Sequence, residues 1–220
     1  MTTPVLDHAA DPSGGRQQPR WPVPPDEDGR LAALRGYGVL DLPRQPDLDA
    51  AARLAAYVCG TRAAVVNLID ADRQWQAAAH GTEPVELGRA DAPCAHVVVG
   101  RDVVWTSDAS QDERFASSPL VTGPLGSARF YASAPLVTPG GHAIGTVCSF
   151  EERAGHELTD EQVELLRAVA GQVVALLELR RLSARMARIS RRDPVTGLAN
   201  RRSVEQAVAN AIARAERGLC

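Results

Sequence analysis

Two side chains that could do nucleophilic chemistry lie two positions apart, in the string Pro93-Cys94-Ala95-His96. A cysteine reacts as its thiolate, and a nearby histidine can act as the base that removes the thiol proton. One alternative is structural, namely a small, partly buried thiol beside a histidine that packs or hydrogen-bonds. Another is a redox or ligand-contact role in sensing. The spacing alone leaves these interpretations open.

A second set of side chains combines aromatic rings with charge, which suits a small ligand carrying an anion or a ring. We expect these residues to lie on elements that converge on one side of a sheet. They are Trp75, Trp105, Asp108, Phe115, Arg129 and Tyr131. The alternative is that Asp108 forms an ion pair with Arg114 or Arg129 that only fastens a loop.

The cysteines and histidines do not follow a metal-binding pattern. The cysteines are Cys59, Cys94, Cys148 and Cys220. Their wide spacing, without a CxxC pair, argues against a structural zinc site and against a disulfide framework, so we expect free thiols. The histidines outside the Cys94 string are predicted in loops or beside a turn, and they are His8, His80, His142 and His156. No metal site is expected, and the sequence identifies no cofactor.

Length and composition restrict the function further. The 220 residues allow one full domain with a short appendage, and 45% hydrophobic with 23% charged residues is ordinary for a soluble globule. A net charge of -3 argues against a nucleic-acid partner, although all 24 basic residues are arginine. The chain lacks the ~18 consecutive apolar residues of a membrane helix and a signal-peptide pattern. We therefore predict a cytoplasmic protein with no membrane partner.

The pattern of elements alternates rather than repeats. Residues 1–25 are rich in Pro, Gly and Asp and are predicted to be a disordered leader. The predicted helices and helical turn lie at 26–42, 47–57 and 111–115. The predicted strands are 63–69, 73–79, 103–106, 129–137 and 142–150, of which the first two and the last two form hairpins. The segment 92–99 is ambiguous between helix and strand.

The clearest local signal is the start of a long helix. Thr159 and Gln162 form a capping box, and Leu158 can pack against Val163. The helix is predicted from Asp160 to about Ser190, roughly 45 Å at 1.5 Å per residue, which is longer than one sheet requires. Its apolar positions have the spacing of a coiled-coil seam, and they are Val169, Val173, Leu176, Leu179, Leu182, Met186 and Ile189. We expect a parallel homodimer; the alternative is a helix packed wholly on its own domain.

The far end of this helix is basic. The arginines are Arg180, Arg181, Arg185, Arg188, Arg191 and Arg192, and no acidic residue follows them before Asp193. They could attract an acidic or phosphorylated partner, or they form a solvated face beside the coiled coil.

Five ordered strings within residues 26–180 resemble those of the GAF domain family. Besides Pro93–His96, they are Val104-Trp105-Thr106-Ser107-Asp108 with Asp112–Phe115, Arg129–Leu136, Gly145–Cys148 and Leu158–Gln162. The resemblance implies an α+β fold with an antiparallel sheet of about six strands, helices behind it and a small-molecule pocket on the other face. It places Cys94 and His96 among the pocket candidates.

Two specialised functions of GAF domains, bilin attachment and methionine sulfoxide reduction, fit this sequence less well. Bilin-binding relatives usually carry Cys directly followed by His, and here Ala95 intervenes. Free methionine sulfoxide reductases have further cysteines in a preceding loop, whereas Cys59 is on a predicted helix.

After the long helix, residues 193–202 read Asp-Pro-Val-Thr-Gly-Leu-Ala-Asn-Arg-Arg, which resembles the opening motif of a GGDEF domain, the diguanylate cyclase module. Residues 193–220 would be an N-terminal fragment of that domain. The family's metal-binding acids and Gly-Gly-Asp-Glu-Phe loop have no counterpart here, so this chain is not expected to make cyclic di-GMP.

We therefore expect a non-catalytic GAF sensor of an unidentified small molecule, dimerised through residues 160–192, that controls a diguanylate cyclase output. The alternatives are a thiol enzyme of the methionine sulfoxide reductase type and a ligand-free dimerisation scaffold.

Overall fold

The computed structural model describes residues 21–190, with side chains described to residue 187. The first twenty residues of the predicted leader and the predicted GGDEF fragment lie outside this range. The α-helices are α1 (Glu27–Tyr37), α2 (Pro46–Cys59), α3 (Cys94–Val97), α4 (Pro119–Thr122) and α5 (Asp160–Ser190). The strands are β1 (Ala63–Ile69), β2 (Arg73–His80), β3 (Leu87–Gly88), β4 (Val104–Thr106), β5 (Phe130–Val137) and β6 (Ala143–Glu151).

The six strands form one antiparallel sheet in the order β3-β2-β1-β6-β5-β4. Two hairpins, β1–β2 and β5–β6, supply its centre, and both were predicted from the sequence. All seven residues of β1 are buried, so both faces of the sheet are covered. The predicted α+β fold is confirmed.

One face of the sheet is covered by helices. The main hydrophobic core joins α1, α2 and α5 to this face and includes Leu34, Leu48, Val66, Phe130 and Val173. A smaller cluster lies on the other face, against α3 and the segment between β4 and β5. We call these the helix face and the cavity face of the sheet.

The helix ends follow from local sequence. The predicted capping box is confirmed: Gln162 N–H donates to Thr159 Oγ1 over 3.2 Å, and Thr159 N–H donates to Gln162 Oε1 over 3.0 Å. The helix predicted within residues 26–42 is α1, and it stops at Tyr37 because Gly38 adopts a left-handed conformation with φ of 60°. The ambiguous segment 92–99 contains the single-turn helix α3.

Helix α5 extends past the sheet. Its last fully buried residue is Leu177, and all residues from 181 to 187 are exposed. None of the described helices is long and apolar enough to span a membrane.

Candidate functional site

A cavity of about 160 Å³ lies on the cavity face of the sheet. Its walls are formed by strands β1, β2, β5 and β6, by the start of α3, and by the segment between β4 and β5. Its lining is mainly apolar, with polar groups at a few places. Representative lining residues are Val65, Asn67, Gln74, Gln76, Cys94, Phe115, Val121, Tyr131 and Cys148.

Along each strand, side chains alternate between the two faces of the sheet, and this alternation places the strand residues of the lining on the cavity face. In β1, Val65 and Asn67 point to the cavity face while Val66 packs in the main core. In β5, Tyr131 lines the cavity, and its partner across the β5–β6 pair is Phe150, which also lines it. The sheet therefore forms one wall of the cavity, and the loop after β2, the start of α3 and the segment between β4 and β5 form the rest.

Two thiols meet at the base of the cavity. Cys94 Sγ lies 3.8 Å from Cys148 Sγ and 3.1 Å from the hydroxyl oxygen of Tyr131. The Nδ2 amide of Asn67 donates to both sulfurs, over 3.2 Å to Cys94 and 3.4 Å to Cys148. Both cysteines are free and buried, so the sequence-based expectation of free thiols is confirmed for them.

This arrangement favours the thiolate of Cys94. Burial alone raises the pKa of Cys94, but hydrogen bonds, first from Cys148 and also from Tyr131 and Asn67, lower it to about 7. The pKa of Cys148 is raised, because its proton bonds to Cys94 and because it is buried. Burial and the negative charge on Cys94 likewise raise the pKa of Tyr131. These shifts favour a thiolate on Cys94 and a proton on Cys148 when the pair loses its first proton.

Two amide groups in the wall are incompletely bonded. Asn67 and Gln74 are each 1% exposed, and the Oδ1 and Oε1 atoms have no hydrogen-bond partner in the described part of the chain. Their neighbour Gln76 is satisfied, since its Oε1 accepts the backbone N–H of Val85 over 2.9 Å. A buried carbonyl oxygen without a partner is unfavourable, so a ligand or water that donates to it would be stabilised.

The structure brings three of the eight predicted pocket residues into the cavity wall: Cys94, Phe115 and Tyr131. Trp75 and Trp105 are not among them. Both pack against the main core on the helix face, because each alternates to the opposite side from its cavity-facing neighbours. The prediction that these two rings line the pocket is corrected.

The charged candidates are engaged in local structure. Asp108 Oδ1 accepts the hydroxyl and backbone N–H of Ser110. The guanidinium of Arg129 donates to the backbone carbonyls of Val121 and Ala128, over 3.0 Å each. Arg114 pairs with Asp112 rather than with Asp108. The structure places Asp108 and Arg129 outside the cavity wall, so the prediction that they line the pocket is corrected.

His96 does not line the cavity. Its ring meets the edge of Phe115 at 6.2 Å between centroids, and burial followed by the charge of Arg114 lowers its pKa. Among the described residues, the side chains that hydrogen-bond to the Cys94 sulfur are Asn67, Tyr131 and Cys148. Within residues 21–187, no three His, Cys, Asp or Glu side chains are placed to hold a metal ion.

The predicted dimer seam divides into two parts. Val169 and Val173 are buried in the core of their own chain, so their assignment to an intermolecular seam is corrected; Leu176 is partly buried against the same core. Leu179, Leu182 and Met186 are exposed by 62%, 45% and 69%. The side chain of Ile189 lies outside the described residues.

The basic run on α5 is partly neutralised within the chain. Arg180 pairs with Asp47 on α2, and Arg181 pairs with Glu178 at 2.8 Å. The surface beside the exposed apolar residues is therefore less basic than the sequence indicates.

Sequence reasoning did not identify Asn67, Gln74 and Cys148 as site residues. One signal was present, since Asn67 is the single polar residue within the apolar run of β1. Buried polar groups of this kind usually have a specific partner. Cys148 could be paired with Cys94 only once the sheet topology was known.

Comparison with known proteins shows the family and the fold of this chain. A family model for the GAF domain matches residues 43–177. A cyclic di-GMP phosphodiesterase of Pseudomonas aeruginosa is 30% identical over 187 residues, which is 85% of this chain. The chain spans 31% of the length of that relative.

Solved structures share the fold at low sequence identity. The GAF domain of an Acinetobacter phosphoenolpyruvate-protein phosphotransferase has a TM-score of 0.51 at 15% identity, covering 71% of this chain and 95% of that one. The blue-light absorbing form of the Thermosynechococcus elongatus PixJ GAF domain has a TM-score of 0.52 at 13% identity, covering 72% and 94%. At these identities the likeness concerns the fold alone.

Proposed function

Because the chain belongs to the GAF domain family, we propose that it is a sensory module that binds a small molecule in the cavity and transmits binding through a dimer of α5. The output is an enzyme of cyclic di-GMP turnover. Residues 193–202, which follow α5 in the sequence and resemble the start of a GGDEF domain, support this output, and so does the similarity to the cyclic di-GMP phosphodiesterase of Pseudomonas aeruginosa. The residues described here act as sensor and not as catalyst.

The observation that carries the proposal is the pair of unpartnered amide oxygens, Asn67 Oδ1 and Gln74 Oε1, on the wall of one cavity. A ligand that offers N–H or O–H donors to them would remove the cost of two buried, unbonded acceptors. Each such bond is worth about 1 kcal/mol net, and up to about 3 kcal/mol where it restores an unsatisfied buried group.

The cavity also restricts the ligand's size and charge. An apolar cavity of about 150 Å³ accommodates a benzene-sized molecule, and this cavity has about 160 Å³. The charged residues that line it are Glu83 and Glu152, and both side chains are exposed. We infer a ligand that is small, neutral or cationic, contains a flat or apolar portion and carries hydrogen-bond donors.

Strand β5 and strand β6 connect the cavity to α5. Tyr131 and Cys148 face the cavity, whereas Phe130 and Val147 face the core that α5 covers. A ligand that prefers one arrangement of these strands would bias the position of α5, by no more than its differential affinity for the two arrangements.

Native mass spectrometry of the purified chain and of a Val65→Phe variant tests the proposal. We expect a defined non-covalent mass on the unmodified protein, lost when Val65→Phe fills the cavity. A Leu54→Phe variant, altered at an exposed position on α2, is the matched control and should retain the mass. Binding in this cavity would be contradicted if the Val65→Phe protein still carried the mass. It would also be contradicted if Val65→Phe and Leu54→Phe lost the mass to the same extent.

A further inference from the structure

The two sulfurs at the base of the cavity are close enough to become bonded. Cys94 Sγ and Cys148 Sγ are 3.8 Å apart. A disulfide needs about 2.05 Å, so the two atoms must approach by less than about 2 Å. Cys94 begins the single-turn helix α3, and Cys148 lies within β6. Cys148 is held in the sheet by its pairing with Val65 on β1 and Ser133 on β5, so the approach requires movement on the α3 side.

The hydrogen bonds around the two thiols indicate different roles for Cys94 and Cys148. Tyr131 Oη at 3.1 Å and Asn67 Nδ2 at 3.2 Å both bond to the sulfur of Cys94. Donors of this kind stabilise a thiolate, which is the reactive form of cysteine. Cys148 Sγ lies 3.8 Å from Cys94 Sγ, the position required of a resolving thiol.

Access to the sulfurs is through the cavity, since both cysteines belong to its lining. The space of about 160 Å³ admits a small, uncharged oxidant. The third described cysteine provides a contrast: Cys59 is packed in the main core against α2 neighbours, and burial raises its pKa. Cys59 is thus an internal comparison, a buried thiol that does not line the cavity.

We propose that Cys94 and Cys148 form an oxidation site for hydrogen peroxide or a small alkyl hydroperoxide, in which Cys94 is the nucleophile and Cys148 the resolving thiol. This inference does not depend on the ligand or the output proposed above.

The reaction has two balanced steps. The Cys94 thiolate attacks one peroxide oxygen, the O–O bond breaks, Cys94 becomes a sulfenic acid, and hydroxide or alkoxide leaves and is protonated. Cys148 then attacks the sulfenic sulfur, the S–S bond forms, and the sulfenic oxygen leaves as water with the Cys148 proton. The dithiol loses two electrons; hydrogen peroxide is reduced to two waters, or an alkyl hydroperoxide to one alcohol and one water.

The test is stoichiometric hydrogen peroxide added to the full chain carrying Cys220→Ser, followed by alkylation in denaturant, trypsin and mass spectrometry. Peptides 90–101 and 130–153 contain Cys94 and Cys148 separately. We expect them to be joined by a disulfide that dithiothreitol removes, with Cys59 still fully alkylated. The Cys59→Ser variant should give the same product.

Two variants distinguish the roles of the sulfurs. In Cys148→Ser we expect a sulfenic acid on Cys94 that dimedone traps, and in Cys94→Ser we expect Cys148 to remain a thiol. Because the cross-link is read on a chain with both cysteines intact, the test holds even if one variant folds poorly. Peptides 90–101 and 130–153 recovered unlinked, or a disulfide to Cys59 instead, would overturn the proposal.

Discussion

Arg89 and Glu27 meet in the interior across 62 residues of sequence, with Arg89 Nη1 2.5 Å from Glu27 Oε1. Arg30 binds the same carboxylate through two nitrogens. Arg89 is 2% exposed and Arg30 is 1% exposed, so one glutamate is the counter-charge of two buried guanidinium groups. This cluster fixes α1 to the 3₁₀ turn that leads into α3, and thus supports one end of the cavity wall.

Replacing Glu27 should therefore destabilise the fold strongly. Glu27→Gln removes the charge but not the shape, and leaving two buried cations without a counter-ion should lower the free energy of unfolding by on the order of 3 kcal/mol. Urea denaturation measures this change. The control is Glu86→Gln, which removes an exposed partner of Arg73 at 2.9 Å and should change stability by less than about 1 kcal/mol. Equal losses of stability in the two variants would show that the buried Glu27 carboxylate stabilises the fold no more than an exposed ion pair does.

The same carboxylate predicts a pH dependence. Burial opposes ionisation of Glu27, but hydrogen bonds from Arg30 and Arg89 hold its pKa at about 2, against 4.5 for the ordinary group. Because the folded pKa is the lower one, this stabilisation is present above about pH 4.5 and declines as the pH falls toward 2. The stability difference between the original chain and Glu27→Gln should therefore shrink between about pH 6 and about pH 3. A difference that stays constant over this range would contradict the assignment.

Gln74 and Gln76 on β2 provide a matched pair for testing the unpartnered acceptor. Gln74→Leu removes an amide oxygen that has no hydrogen-bond partner, so it should stabilise the ligand-free protein by about 1 kcal/mol. Gln76→Leu leaves the backbone N–H of Val85 without its acceptor, so it should destabilise the protein by about 1–2 kcal/mol. Thermal unfolding of extensively dialysed protein measures both. Destabilisation by Gln74→Leu equal to that of Gln76→Leu would show that Gln74 is already satisfied.

Local rules predicted the elements that depend on neighbouring residues. The Thr159–Gln162 capping box gave the start of α5, and the glycine turn at Thr138–Gly141 gave the β5–β6 hairpin. The elements that were missed are short and depend on distant contacts. Strand β3 has two residues and exists because Leu87 and Gly88 pair with β2.

The site was less predictable because the side on which a residue lies depends on register. The sequence does not show which side of the sheet Trp75 faces. Alternation along β2 places Gln74 and Gln76 on the cavity face and Trp75 on the helix face. Similarly, the closeness of Cys94 and Cys148 comes from packing of α3 on β6, which no spacing rule contains.

Gly145 should tolerate no side chain. A Cβ at this position would lie 2.0 Å from the carbonyl oxygen of Asn67 on the paired strand β1. Gly145→Ala should therefore force β1 and β6 apart, with a loss of more than about 3 kcal/mol. Gly171→Ala is the control: nothing lies within 4 Å of its Cβ position on α5, so a gain of about 0.5–1 kcal/mol is expected. Chemical denaturation of both variants is the measurement, and a stable, unshifted Gly145→Ala protein would contradict the close β1–β6 approach.

The thiol of Cys94 should titrate near neutrality. With a pKa of about 7, its rate of alkylation by iodoacetamide should rise with pH to a half-maximum near that value. Tyr131→Phe deletes the hydroxyl at 3.1 Å and should move the half-maximum to higher pH. Cys59, whose pKa is raised by burial, is the internal control and should react only on unfolding. An unchanged profile in Tyr131→Phe would remove the hydroxyl from the stabilisation of the thiolate.

The exposed part of α5 should carry the dimer. Leu179, Leu182 and Met186 lie beyond the last buried residue, Leu177, and expose apolar surface that a second copy of the helix would cover. Leu182→Asp combined with Met186→Asp should give a monomer by sedimentation velocity, with unfolding unchanged, because neither side chain contributes to the domain's own core. Val99→Asp, at an exposed apolar position beside α3, should leave the dimer intact. A double variant that remains dimeric, together with a Leu54→Asp variant on α2 that becomes monomeric, would place the interface along α2. In that case α5 would transmit ligand binding within one protomer and not between two.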